Sequence, residues 1–105
     1  MEEKNTFKET EIYKAWFDCL KDRKAIDRIR ARIRNAENGN FGDCRPVGEG
    51  ISEMRIDYGP GYRLYFFKQG KQLYWLLAGG DKDTQSGDIE LAKTIKRRIQ
   101  GGEKC

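Results

Sequence analysis

The sequence predicts a single α+β domain with the order β-α-α-β-β-β-α, a helical hairpin packed on one face of a mostly antiparallel sheet and a last helix after it. Three observations carry this. The 105 residues are enough for one domain, 1–105, and not for two. Apolar residues recur at helical spacing over about 10–38 and again over about 88–100, but with a period of two over about 51–79. The change of period falls at a stretch, 39–50, rich in glycine and turn-forming residues, which reads as a loop.

Residues 4–9 can form a short first strand. Thr10 follows as an N-cap, its hydroxyl able to accept from free amides of a first helical turn. Ile12, Trp16, Cys19 and Leu20 then form a helical stripe, with Tyr13 and Phe17 beside it. Asp22 caps a second helix whose stripe is Ile26, Ile29, Ile33 and Ala36, and Asn38-Gly39 stops it. In the strand 51–57, Met54 and Ile56 point one way, and Glu53, Arg55 and Asp57 the other. After the turn Tyr58-Gly59-Pro60-Gly61, strand 62–69 places Leu64 and Phe66 on the first face and Arg63, Tyr65 and Phe67 on the second. Strand 72–78 is apolar on both faces and is expected to be central. A polar loop, 79–87, leads to the last helix, whose Ile89, Ala92, Ile95 and Ile99 point inward. The helices are expected on the Met54/Ile56/Leu64/Phe66 face, which leaves Glu53, Arg55, Asp57, Arg63 and Tyr65 on the open one.

There is no histidine, so histidine-dependent dyads, triads and zinc sites are excluded, and any catalysis must use carboxylates, Lys, Arg, Tyr or Cys. Three widely spaced cysteines without a CxxC indicate neither a zinc site nor a disulfide framework; Cys19 is expected in the core and Cys105 on the surface. No apolar run is long enough to span a bilayer, and the first residues lack the features of a signal peptide, so a cytoplasmic location without membrane contact is expected. The net charge of +4 is modest, but residues 21–34 carry seven bases against two acids. Such a cluster can attract an anionic polymer or simply form a solvated helix face.

Four segments of the chain together resemble the RelE/ParE superfamily of toxins, in its HigB-like addiction module killer branch. They are Gly39-Asn40-Phe41-Gly42-Asp43, Arg45-Pro46-Val47-Gly48-Glu49-Gly50, the run from Ser52 to Arg63 and Gly79-Gly80-Asp81-Lys82. The resemblance extends from Phe7 to about Ile99. It implies a RelE-like fold and the toxin of a type II toxin–antitoxin pair. It further implies a ribosome-dependent endoribonuclease that inhibits translation by cutting messenger RNA through attack of the ribose 2′-hydroxyl. A ParE-like poison of DNA gyrase, or an inactive relative kept for antitoxin binding, are the alternatives. The implied partners are the ribosome, messenger RNA and a cognate antitoxin, expected as a helix-turn-helix protein encoded nearby. No cofactor and no metal is implied, because 2′-hydroxyl attack needs neither.

That reaction requires a base for the hydroxyl proton, cations for the phosphorane and an acid for the leaving oxygen. Glu53 is the candidate base, and Arg55 and Arg63 are candidate phosphate clamps, since a guanidinium grips two phosphate oxygens at once. Lys82 is a candidate acid or third cation, and Tyr65 a candidate for stacking on a nucleobase or donating a proton. By the resemblance, Arg63 falls where RelE-type nucleases keep a catalytic arginine. Lys24, Arg28 and Arg32 of the second helix are candidate RNA contacts. The plain alternative for Glu53, Arg55 and Arg63 is an exposed cross-strand ion-pair lattice of little energetic weight.

Overall fold

The fold was analysed in a computed structural model, which describes residues 4–101. The glycine pair Gly101-Gly102 is expected to stop the last helix, which runs through Gly101; Gly102, and Cys105 with its expected exposed thiol, lie outside the described residues. The elements are β1 (Thr6–Glu9), α1 (Glu11–Asp18), α2 (Arg23–Glu37), β2 (Cys44–Gly48), β3 (Ile51–Ile56), β4 (Tyr62–Gly70), β5 (Leu73–Asp81), a 3₁₀ turn (Lys82–Thr84) and α3 (Gln85–Gly101). The fold is α+β. Its five-stranded sheet has the order β1-β5-β4-β3-β2, antiparallel throughout except that β1 runs parallel to β5. Among the described residues no helix is long and apolar enough to cross a membrane.

The caps form as the sequence predicts. Thr10 Oγ1 accepts from the Tyr13 amide at 3.0 Å and Asp22 Oδ1 from the Lys24 and Ala25 amides at 3.0 and 3.3 Å. The stripe of α1 is rotated by one residue from the expected one. Tyr13 is the buried residue, with Trp16, Phe17 and Leu20 packed beside it, while Ile12 is 41% exposed and Cys19 is exposed rather than in the core. The large aromatic ring removes more apolar area from water than the smaller side chains beside it, and that sets the helix rotation.

Two further segments differ from expectation. The stretch 39–50 is not all loop: Cys44–Gly48 is a fifth strand, antiparallel to β3, with a bulge between Pro46 and Gly48. Proline and glycine obscure it in the sequence, yet an edge strand tolerates both, since one side of its ladder is unpaired. Likewise, β5 continues through Gly79 and Gly80 to Asp81, and α3 starts at Gln85. β5 is an interior strand, as its apolar faces require, but β4 is the middle one. A second bulge, at the step between Tyr65 and Phe66 of β4, leaves Leu77 of β5 without a partner in β4 and turns Leu77 and Ala78 toward the same side. The Leu77 carbonyl freed there accepts from Thr10 Oγ1 at 2.7 Å.

The sheet is covered on both faces. The hairpin buries Met54, Ile56, Leu64 and Phe66 against Tyr13, Ile29 and Ala36. The second face, expected to be open, is packed by α3, whose Ala92 and Ile95 meet Ile51, Tyr65, Phe67, Leu77 and Ala78. Gly79 and Gly80 admit these layers. A Cβ on Gly79 would lie 2.2 Å from the Trp16 ring of α1, and one on Gly80 would lie 1.8 Å from Asp88 of α3. Only glycine allows both helices to approach so closely.

Candidate active site

Two rows of side chains cross the sheet on the α3 side. One is Arg45 of β2, Glu53 of β3 and Tyr65 of β4, in register. The other, one pleat on, pairs Arg55 directly with Arg63 and continues to Gly80. The α3 helix covers the first row. The second meets α3 only at Gly80, against Asp88, and its two arginines open onto a pocket that no α3 residue lines.

Glu53 is sealed, with no exposed surface. Its carboxylate accepts from Arg45 Nε at 2.9 Å, Tyr65 Oη at 3.0 Å and Gln85 Nε2 at 2.7 Å, and Arg63 Nε lies 3.9 Å away. Burial works against its charge, but the hydrogen bonds from Gln85, Arg45 and Tyr65 outweigh burial and hold the carboxyl below the ordinary glutamate range. A carboxylate so enclosed does not fit the expected role of general base, because no substrate hydroxyl can reach it. It also rules out the exposed lattice, since the group is not exposed. What the geometry gives Glu53 is a joining role: it ties Arg45, Tyr65 and Gln85 together and sets a buried negative charge 3.9 Å from Arg63 Nε.

Tyr65 is buried as well and donates to Glu53, so it cannot stack on a nucleobase. Burial and the Glu53 charge push its phenol well above the ordinary tyrosine range, which keeps it a proton-bearing donor.

Arg55, Arg63 and Lys82, three of the expected cations, come together. They line one open pocket of about 400 Å³ with Asp43, Asp57 and the Gly59-Pro60-Gly61 turn. Like charges directly opposite on neighbouring strands are destabilising, so the Arg55–Arg63 pair is not there for the sheet. Arg63 is mostly buried; its Nη1 donates to the Gly61 and Tyr62 carbonyls, each at 3.3 Å, and its buried Nε has no hydrogen-bond partner. Arg55 is more open, and its Nε and Nη2 donate to Asp43 Oδ1 at 3.2 and 2.8 Å. The hydrogen bonds from Arg55 hold the Asp43 carboxyl below its ordinary range. Lys82 projects from a well-fixed turn, in which Asp81 Oδ1 accepts from the Asp83 and Thr84 amides and Thr84 Oγ1 accepts from the Asp81 amide.

The three expected RNA contacts on α2 separate. Lys24 and Arg28 are exposed, Arg28 lying 4.8 Å from the centre of the Tyr58 ring. Arg32 is a strut: its guanidinium donates to the carbonyls of Arg55, Phe41 (3.1 Å) and Asp43 (3.2 Å), tying the loop before β2 to β3. With both terminal nitrogens engaged on backbone carbonyls, it holds the main chain and does not project from α2 as Lys24 and Arg28 do.

Sequence reasoning missed Asp43, Arg45 and Gln85. Arg45 and Gln85 sit in the two segments that read as loops, and their approach to Glu53 follows only once β2 and the start of α3 exist. The signal that could have found Arg45 is the two-residue alternation of Cys44, Arg45, Pro46 and Val47.

No family model matches the chain. A Haemophilus influenzae protein described only as uncharacterized is 45% identical over 92 residues, spanning 88% of this chain and 93% of that protein. Similarity at that level, over nearly the full length of both proteins, leaves one conclusion: the chain belongs to the same family as this Haemophilus influenzae protein.

Proposed function

We propose that the protein is the toxin of a type II toxin–antitoxin pair, a RelE/ParE-superfamily endoribonuclease of the HigB-like branch that cuts messenger RNA at the ribosome in the cytoplasm. The observation that carries this reading is the pocket in which Arg55, Arg63 and Lys82 converge around space for a phosphate. The RelE-like reading of the fold is supported by the helical hairpin on one sheet face and by the order β-α-α-β-β-β-β-α, which adds one strand to the expected order. Two directly opposed arginines, paid for by two separate carboxylates, are what a dianionic phosphorane needs.

With Glu53 sealed, the base must be a carboxylate that opens onto the pocket. Asp43 is engaged by Arg55, whereas Asp57 makes no hydrogen bond or ion pair among the described residues. Asp57 is therefore the proposed acceptor of the 2′-hydroxyl proton. Arg55 and Arg63 hold the phosphate, and Lys82 protonates the leaving oxygen. Lys24 and Arg28 on the exposed face of α2 are proposed to meet ribosomal RNA. The proposed antitoxin is a helix-turn-helix protein encoded nearby.

The sealed Glu53 also favours a second reading, a gyrase-binding toxin that needs no base. One experiment separates the two. Purified protein is added to translating ribosomes and messenger 5′ ends are mapped. New ends that disappear with Arg63→Ala support the nuclease; no new ends, together with DNA damage signalling on induction in bacteria, support the gyrase reading.

A further inference from the structure

The two pocket arginines hold their carboxylates differently, and the difference gives Asp43 a task. Asp43 Oδ1 alone takes both hydrogen bonds of the Arg55 Nε–Nη2 edge, at 3.2 and 2.8 Å. That edge is a two-pronged fork, best matched by two oxygens of one group. A phosphate offers two, so it satisfies the fork better than the resident carboxylate does. The resident pair is also open to water, with the Arg55 and Asp43 side chains 39% and 53% exposed, so the pairing is weak and exchangeable.

The backbone of Asp43, by contrast, is fixed. Its carbonyl accepts from the Arg55 amide at 2.9 Å and from Arg32 Nη2 at 3.2 Å. Releasing Arg55 therefore takes only a side-chain rotation, and the displaced carboxylate stays beside the pocket. We propose that Asp43 is a specificity-determining residue: it occupies the ligand edge of Arg55 and admits only an anionic group with two oxygens, the phosphate of an RNA backbone, that can displace it. This rests on the reading of the pocket as a phosphate site. A neutral carbonyl or hydroxyl supplies one acceptor and no charge, and leaves Asp43 in place.

The test is a titration with inorganic phosphate at fixed ionic strength, followed by the Nε–Hε signals of Arg55 and Arg63 in NMR spectra. It uses the wild type, Asp43→Asn, Asp43→Ala, Arg55→Ala and the double variant Asp43→Asn/Arg55→Ala. Both single Asp43 variants are expected to bind phosphate about fivefold more tightly than wild type. In the Arg55→Ala background, Asp43→Asn is expected to bring no gain. Unchanged or weaker binding in both Asp43 variants overturns the proposal, since Asp43 would then position Arg55 rather than compete for it. An equal gain without Arg55 also overturns it, because the effect would be one of general charge. Absence of phosphate shifts in every protein overturns it together with the phosphate-site reading. Mapping of messenger 5′ ends with the same proteins keeps the two ideas apart. Tighter phosphate binding by the Asp43 variants without cutting by wild type rejects the nuclease and leaves the role of Asp43 standing. Cutting with unchanged phosphate affinity rejects the role of Asp43 alone.

Discussion

Arg63 and Arg55 face each other across β3 and β4 and open onto the same pocket, yet their surroundings have little in common. The carboxylate near Arg63 is Glu53, sealed under α3 and held by three other donors. The carboxylate on Arg55 is Asp43, half-exposed and held by Arg55 itself. One arginine is built in, and the other is on loan to a neighbour. A site that must grip a phosphate and then release it can use both: a fixed cation to define where the phosphorus sits, and an exchangeable one whose charge becomes available on binding.

The largest expected effect that would sharpen this contrast is on activity. Arg63→Ala is expected to lower message cutting by ~100-fold or more, the scale for losing a preorganised donor, and Arg55→Ala by roughly tenfold. Equal losses, measured from the rates at which new 5′ ends appear, would erase the distinction. Next is stability. Glu53→Ala leaves the buried Tyr65 Oη without its acceptor, removes the carboxylate nearest Arg63, and is expected to cost about 3 kcal/mol in urea melts. Asp43→Ala is expected to leave the urea midpoint nearly unchanged, because its pair is exposed.

A smaller effect concerns acid. Both carboxyls are held below their ordinary ranges. Below the unfolded value near ~4 the unfolded chain binds more protons, so stability rises with pH there. Each contribution is complete above that value and is lost as pH falls through the lowered native one. Glu53→Gln should flatten the acid limb of a stability–pH curve clearly, and Asp43→Asn only slightly, because its pair is exposed. The smallest effect is that of salt. Raising ionic strength should speed hydrogen exchange of Arg55 Nε–Hε and leave that of Arg63 nearly unchanged, since only the exposed pair is screened.

Much of this arrangement was legible in the sequence. The two periods, the Thr10 and Asp22 caps and the alternation of Glu53, Arg55, Arg63 and Tyr65 onto one face all follow from local rules. What was not legible is what covers that face. The start of α3 is masked by Gly87 and by the polar residues before it, so Gln85 and the burial of Glu53 and Tyr65 could not be foreseen. The β2 strand was hidden by Pro46 and its flanking glycines, although an edge position makes them harmless. The rotation of α1 toward Tyr13 is a packing outcome that no stripe of similar residues decides in advance. Carboxylates look alike in a sequence, and only depth under a helix tells the sealed Glu53 from the exposed Asp57.

The glycine pair at the end of β5 reaches further than the packing it permits. Gly79 is pressed against α1 from one side and Gly80 against α3 from the other, and Lys82 comes two residues later, in a turn closed by Asp81 and Thr84. The main chain that carries Lys82 is thus clamped between both layers of the molecule. When its ammonium group meets a ligand, the freedom given up is that of one side chain, roughly 2 kcal/mol at most, rather than that of a loop. An exposed lysine on a stationary stem can be drawn into a transition state at little entropic loss.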